Sequence, residues 1–268
     1  MITVEINNII EKASLKLPKP PEFGFILGSG VDVFSNINTI ASYDFADLFG
    51  IKPSISGHSG SLTFGYAPGS EILIAVLKGR YHVYEGHSLD VVTLPLQLLK
   101  ALGLKNIVLT NAAGGIDQSF TPSDLMVITS YFDCISPNSH GVLDILKAPP
   151  ETYTSKLLDL ALKLIKDDKA MRKGCYAAVL GPSYETTAEV NMLKILGANA
   201  VGMSTVPELK YALANNIVPL AISVITNVWG GKTEMGGHKE VLEVSKIASK
   251  KLESFLCQLI EEHSRQVV

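Results

Sequence analysis

The sequence predicts an α/β fold in a single domain spanning residues 1–268. Three observations carry this. Apolar runs of strand length alternate with helix-period segments along most of the 268 residues. Several of the strand-length runs are nearly unbroken Val, Ile and Leu, as in strands buried on both faces. No Pro/Gly/Ser-rich linker and no internal repeat divides the chain, and its length suits one α/β domain.

The elements follow in order. Val4–Leu15 reads as an amphipathic helix. Strand candidates are Phe23–Leu27, Leu62–Tyr66, Ile72–Leu77, Ile107–Leu109, Leu125–Thr129, Tyr176–Leu180, Ala200–Met203 and Val218–Ile225. Helix candidates are Leu89–Leu102, Thr154–Lys166, Thr187–Leu196, Val206–Asn215 and Lys239–Glu262. Ser136–Tyr153, rich in Pro, Asn, Ser and Gly, reads as a surface loop, and Val228–Gly237 as a second irregular stretch.

Composition excludes several classes. The net charge is -3, with 47% hydrophobic and 18% charged residues, which argues against nucleic acid as a partner. No run of 18 apolar residues predicts a membrane span. The first residues lack a basic start, an apolar block and a cleavage site, so the expected location is the cytoplasm. Cys134, Cys175 and Cys257 are too widely spaced for a disulfide framework or a zinc site, and read as free buried thiols. No metal-ligand spacing occurs among the histidines.

Ligands in such folds sit where strands end. Gly28-Ser29-Gly30 follows the first strand and reads as an anion-approaching loop or a plain turn. Gly79–His87 packs Arg80, His82, Tyr84, Glu85 and His87 behind an apolar strand. An arginine fork and imidazoles suit an oxyanion, and an extended chain would put Arg80, His82 and Tyr84 on one side. Thr110–Gly115 reads as a close backbone approach or a tight turn. Gly181–Thr186 offers Tyr184 to stack and Glu185 to accept. It reads equally as a helix start, capped by Ser183 or Thr186 with Glu185 in the first turn. Ser204 or Thr205 reads as the cap of a helix with Pro207 in its first turn, itself an anion site.

Taken together, ILGSG (26–30), SGHSG (56–60), KGRYHVYEGH (78–87), TNAAGG (110–115), GPSYET (181–186), GMSTVPE (202–208) and ITN (225–227) resemble the trimeric purine nucleoside phosphorylase family. The resemblance runs from about residue 23 to the C-terminal helix. It implies a distorted mixed β-sheet flanked by helices, and a homotrimer. It implies reversible phosphorolysis of purine nucleosides, with inorganic phosphate as co-substrate and neither metal nor organic cofactor. Position by position, it implies phosphate binding by Ser29, His58, Arg80, His82, the Ala112 N–H and Ser204. It implies sugar contacts from Tyr84, Met203 and His238, and base contacts from Tyr184, Glu185 and Asn227. Asn227, Glu185 and His82 are then the residues of the chemistry.

Physical reasoning runs parallel. Cationic and hydroxyl donors hold the phosphate. A ribosyl group losing its base becomes oxocarbenium-like, and an anion beneath it stabilises that state. The amide of Asn227 donates to the leaving purine, and Glu185 accepts from N1–H of a 6-oxopurine. Relatives that act on methylthioadenosine tend to carry aspartate at the Asn227 position, so inosine and guanosine are the expected substrates. Xanthosine or methylthioadenosine preference is the nearest alternative, and a non-catalytic nucleoside-binding protein a remoter one. A serine hydrolase is disfavoured because neither Ser29 nor Ser204 lies in GxSxG. Two stretches depart from the family pattern: SPNSHGVLDILKAPPETY after the fifth strand, and VWGGKTEMGGH after Asn227, where Trp229 reads as a packing residue. On this reading Arg80→Ala weakens phosphate use far more than it disturbs folding.

Overall fold

The computed structural model describes residues 9–11, 17–55, 59–135, 149–166, 171–230 and 238–267. It is a mixed α/β structure whose strands, among the described residues, form one ten-stranded sheet. The strands are β1 (Phe23–Leu27), β2 (Asn38–Asp44), β3 (Ser61–Tyr66), β4 (Leu73–Lys78), β5 (Asn106–Gly115), β6 (Leu125–Asp133), β7 (Glu151–Thr152), β8 (Met171–Ala178), β9 (Ala200–Gly202) and β10 (Val218–Val228). The helices are α1 (Phe45–Phe49), α2 (Leu89–Ala101), α3 (Lys156–Leu164), α4 (Thr187–Ile195), α5 (Val206–Ala214) and α6 (His238–Val267). Of the N-terminal helix expected at Val4–Leu15, residues 9–11 are described and are helical.

The sheet order is β10-β6-β8-β9-β5-β1-β4-β3-β2, and β10 also pairs with β5. That extra pairing closes β5, β10, β6, β8 and β9 into a ring of five strands. β1, β4, β3 and β2 extend from it as an open wing, with β2 and β3 antiparallel.

β5 makes the ring and the wing meet. β10 runs parallel along one of its edges from Asn106 to Gly115. On the other edge β1 pairs with Asn106–Leu109, and β9 pairs with Gly114–Gly115. Between them, Thr110–Ala113 has no strand partner on that edge. The sheet splits there, beside the end of β1. Such a split between diverging strands is where α/β sheets bind ligands.

The ring and wing are apolar where they are covered. Phe23, Phe25, Leu27, Leu77, Leu109, Leu220, Ile222 and Val224 are fully buried. α6 lies against β10 and α3, and buries Leu252, Leu256 and Leu259 completely. Helix starts follow local chemistry. Ser88 and Ser155 accept from the N–H three residues on, capping α2 and α3. Thr186 and Glu189 form a reciprocal capping box at α4.

Several expectations are corrected. The TNAAGG stretch is strand and not a turn: pairing with β10 satisfies one edge of its backbone, and its small residues let neighbouring strands close in. Tyr176–Leu180 shifts to Met171–Ala178, because parallel pairing with β6 draws in the polar start Met171–Gly174. β2 had no signal, since it is a half-exposed edge strand with only Ala41 buried. Val83–Glu85 is a 3₁₀ turn, so the chain through Arg80–Tyr84 is not uniformly extended. Residues 136–148 of the expected surface loop and 231–237 of the second irregular stretch lie outside the described residues. Glu151–Thr152 forms a short strand on β6, and Tyr153 is buried. All three cysteines are free, but only Cys175 is fully buried.

Candidate active site

A cavity of about 420 Å³ opens at the split in the sheet. That volume suits a small ligand. Its wall is drawn from the end of β1, the segment after β4, β5, the segments after β8 and β9, and the end of β10.

Gly28 ends β1. A Cβ there would stand 2.7 Å from the Cα of Asn111, so only glycine permits this approach of β1 to β5. Its N–H donates to Thr110 Oγ1 at 3.0 Å. Gly30 has φ +72, and a Cβ would meet the α6 backbone at Leu242 at 2.8 Å. The loop carrying Ser29 is thus held between β5 and α6.

Arg80 lies deep in one wall, 2% exposed. Its Nη1 donates to Ser204 Oγ at 3.0 Å and Thr205 Oγ1 at 3.2 Å, and Nη2 to the Ile26 carbonyl at 3.4 Å. Its Nε stands 3.2 Å from Glu208 Oε1, and Glu208 is 1% exposed. The sequence offers Thr205 or Ser204 as the helix cap. Thr205 occupies the cap position of α5, but its hydroxyl makes no cap bond and instead accepts from Arg80 and from Asn111 Nδ2 at 2.9 Å. Its φ is 77° and ψ -46°, and the Val206 N–H donates to the Ser204 carbonyl at 2.9 Å. This is a strained γ-turn, unusual for a β-branched residue. The bonds from Arg80 and Asn111 hold the strained residue in place.

His82 stands beside Arg80. Its Nδ1 is 2.9 Å from Glu85 Oε1, which also accepts the His82 backbone N–H at 2.9 Å. A carboxylate only accepts, so the Nδ1 carries the proton. The other Glu85 oxygen accepts from the Ser54 N–H at 3.1 Å and hydroxyl at 2.6 Å. Burial opposes ionisation of Glu85, but the bonds from His82 and Ser54 outweigh it and lower its pKa to about 2. The Tyr84 ring stacks on His82 with centroids 4.7 Å apart. Burial pushes the Tyr84 hydroxyl up to about 12, so it stays a neutral phenol.

The remaining wall is built differently. Glu185 precedes the α4 cap Thr186 and is not in the helix, contrary to the first-turn reading. Its Oε1 is buried without a hydrogen-bond partner among the described residues, and burial raises its pKa. Tyr184 beside it is 52% exposed, at the cavity mouth. On β10 a bulge between Ile225 and Asn227 brings both Thr226 and Asn227 to the cavity. Thr226 Oγ1, with one proton, stands 3.1 Å from Asn227 Oδ1 and 3.3 Å from the Ala113 carbonyl and donates to one of the two. When it donates to Asn227, the amide NH₂ is left for a ligand.

Ser29, Arg80, His82, Tyr84, Ala112, Tyr184, Glu185, Met203, Ser204 and Asn227 all line this one cavity. His58 and the side chain of His238 lie outside the described residues. Trp229, read as a packing residue, packs on the smaller apolar cluster and also lines the cavity. Sequence reasoning missed Asn111, Thr205, Glu208 and Ser54. The first three stand inside motifs already quoted, but only proximity in space shows what they touch. Among the described residues no group of three His, Cys, Asp or Glu side chains forms a candidate metal site, and no helix is long and apolar enough to cross a membrane.

The family model of the phosphorylase superfamily matches residues 22–261. Purine nucleoside phosphorylase 1 of Geobacillus stearothermophilus is 37% identical over 241 residues, covering 86% of this chain and 87% of the relative. The Rattus norvegicus purine nucleoside phosphorylase is 33% identical, covering 90% and 89%. Among solved structures, the Schistosoma mansoni purine nucleoside phosphorylase in complex with inosine superposes with a TM-score of 0.78 at 28% identity, covering 96% and 95%. The cavity at the split sheet and these matches lead to one conclusion: the chain belongs to the phosphorylase superfamily and, within it, to the purine nucleoside phosphorylase family.

Proposed function

We propose that this cavity performs reversible phosphorolysis of 6-oxopurine nucleosides such as inosine and guanosine, ribo- or deoxyribo-. The products are the free base and an α-pentose 1-phosphate. The observation that carries this is one cavity lined by two unlike sets of residues. Arg80, His82, Ser29 and Ser204 supply donors and positive charge. Glu185 and Asn227 supply a bare carboxylate oxygen and an amide. We assign the first set to a phosphate end and the second to a base end.

In this reading phosphate binds at the first end, with the Ala112 N–H and His58 completing its shell. A phosphate oxygen attacks C1′ as the C1′–N9 bond breaks, and the bonding pair leaves on the purine. The anion beneath the sugar stabilises the oxocarbenium-like state, and little covalent work falls to the protein. Asn227 donates to the purine as it gains charge. The buried Glu185 oxygen, which has no donor among the described residues, receives N1–H; leaving it bare is costly, which favours a base that carries that hydrogen. Tyr84, Met203 and His238 border the sugar, and Tyr184 the base.

Inorganic phosphate is the co-substrate, and the reading needs no cofactor. The whole chain, 1–268, acts as one domain, assembled as a cytoplasmic homotrimer with neither nucleic acid nor membrane as a partner; size-exclusion chromatography with light scattering checks the assembly. The deciding assay follows base release from inosine, guanosine, adenosine, xanthosine and methylthioadenosine with and without phosphate. Phosphate-dependent release from inosine and guanosine is expected. Release from none of them refutes the proposal, and dominant turnover of methylthioadenosine or xanthosine moves the base preference.

A further inference from the structure

Glu208 has no part in the reading above, yet it is the least exposed carboxylate near the cavity, at 1%. It is the third residue of α5, where a glutamate commonly bonds back to the cap N–H. It does not do so here. Among the described residues both its oxygens lack a hydrogen-bond partner, and Oε1 sits 3.2 Å from Arg80 Nε, which lacks one too. A buried carboxylate that makes no hydrogen bond, beside a buried guanidinium, interacts chiefly through charge.

The rest of the guanidinium is held by Ser204, Thr205 and Ile26. Glu208 closes the Nε side, while Nη1 meets Ser204, which lines the cavity. We propose that Glu208 is a positioning residue for phosphate: it clamps Arg80 and neutralises its buried charge until an oxyanion shares that charge. This rests on the phosphate end of the proposed reaction. It follows that Glu208 keeps the empty site stable and lowers its affinity for phosphate, because part of the Arg80 charge is already compensated.

Glu208→Gln keeps the shape and removes the charge. In a buffer free of oxyanions the variant is expected to melt below the parent, because Arg80 is left uncompensated. Added inorganic phosphate is expected to raise its Tm by more than it raises the parent's, with phosphate binding tightened about tenfold in calorimetry. kcat falls while the phosphate KM falls with it. A helix-stabilising role alone would lower Tm equally with and without phosphate. A phosphate-induced shift no larger than the parent's overturns the proposal. The Arg80→Met/Glu208→Gln double variant removes both charges and is expected to melt above Glu208→Gln. Its failure to recover also overturns the proposal, and this comparison holds if Glu208→Gln alone does not fold. A parent enzyme that neither shifts with phosphate nor cleaves a nucleoside would instead sink the functional reading.

Discussion

Glu85→Gln tests the electrostatic construction of the His82 wall. In the parent, Oε1 accepts from the His82 N–H and Nδ1, and Oε2 from the Ser54 N–H and hydroxyl. A glutamine amide has one accepting oxygen. Whichever way it turns, its NH₂ faces a backbone N–H, of His82 or of Ser54, and two donors lose their acceptor. Charge-assisted bonds lost in this way cost about 2–4 kcal/mol together. The sign with pH follows from the carboxyl pKa, lowered from 4.5 to about 2. A depressed pKa contributes stability that is fully present above 4.5 and lost as pH falls toward 2. Taken at face value the shift is worth about 3 kcal/mol, and solvent screening of this partly exposed loop reduces it to about 1–2 kcal/mol. Urea unfolding of parent and variant at pH 7, 4 and 2.5 measures it. The parent is expected to be more stable at pH 7, with the gap narrowing below pH 4.5. A gap that stays constant over that window would refute the charge argument, and no gap at pH 7 would refute the whole clasp.

Three further substitutions have expected outcomes. Arg80→Ala raises the phosphate KM about a hundredfold, as loss of charged donors worth ~3 kcal/mol requires, and initial-rate kinetics with an unaltered KM would contradict its role. The same substitution leaves Glu208 buried and unpaired, so denaturant unfolding is expected to show a loss of about 3–5 kcal/mol. Asn227→Asp replaces the donor end of the amide with an acceptor and is expected to move the inosine-to-adenosine ratio of kcat/KM at least about tenfold toward adenosine; an unchanged ratio ends that assignment. Gly28→Ala drives a Cβ to within 2.7 Å of the Asn111 backbone and is expected to cost about 2–3 kcal/mol in thermal unfolding. A neutral result there would mean that β1 and β5 can part.

Much of this was legible in the sequence, for definite reasons. Apolar runs marked β1, β4, β6 and β10, because burial on both faces leaves an unmistakable composition. The motifs marked the cavity, because loops at strand ends carry polar residues that no core explains. What was not legible depends on pairing partners. β5 continues through Thr110–Gly115 only because β10 runs beside it, and no local preference announces that. β2 is an edge strand with a polar face, so alternation is faint. The Arg80→Ala expectation shows the limit most clearly. In sequence Arg80 is a phosphate donor whose loss weakens phosphate use far more than it disturbs folding. In space it shares a buried site with Glu208, 128 positions away along the chain, and function and stability cannot be removed separately there.

The closed ring of strands has a metric consequence. Ala112 and Gly114 lie two residues apart on β5, and Gly114 is in register with Asn227 on β10. Two residues of strand span about 6.6 Å. In the proposed reading, the phosphate end and the base end are therefore separated by a length of hydrogen-bonded backbone. β5 and β10 are paired along that whole length, so it cannot stretch by sliding one strand past the other without breaking the pairing. The protein measures its substrate with a ruler of main chain, and a ligand whose anion and base are spaced differently meets one end or the other, but not both.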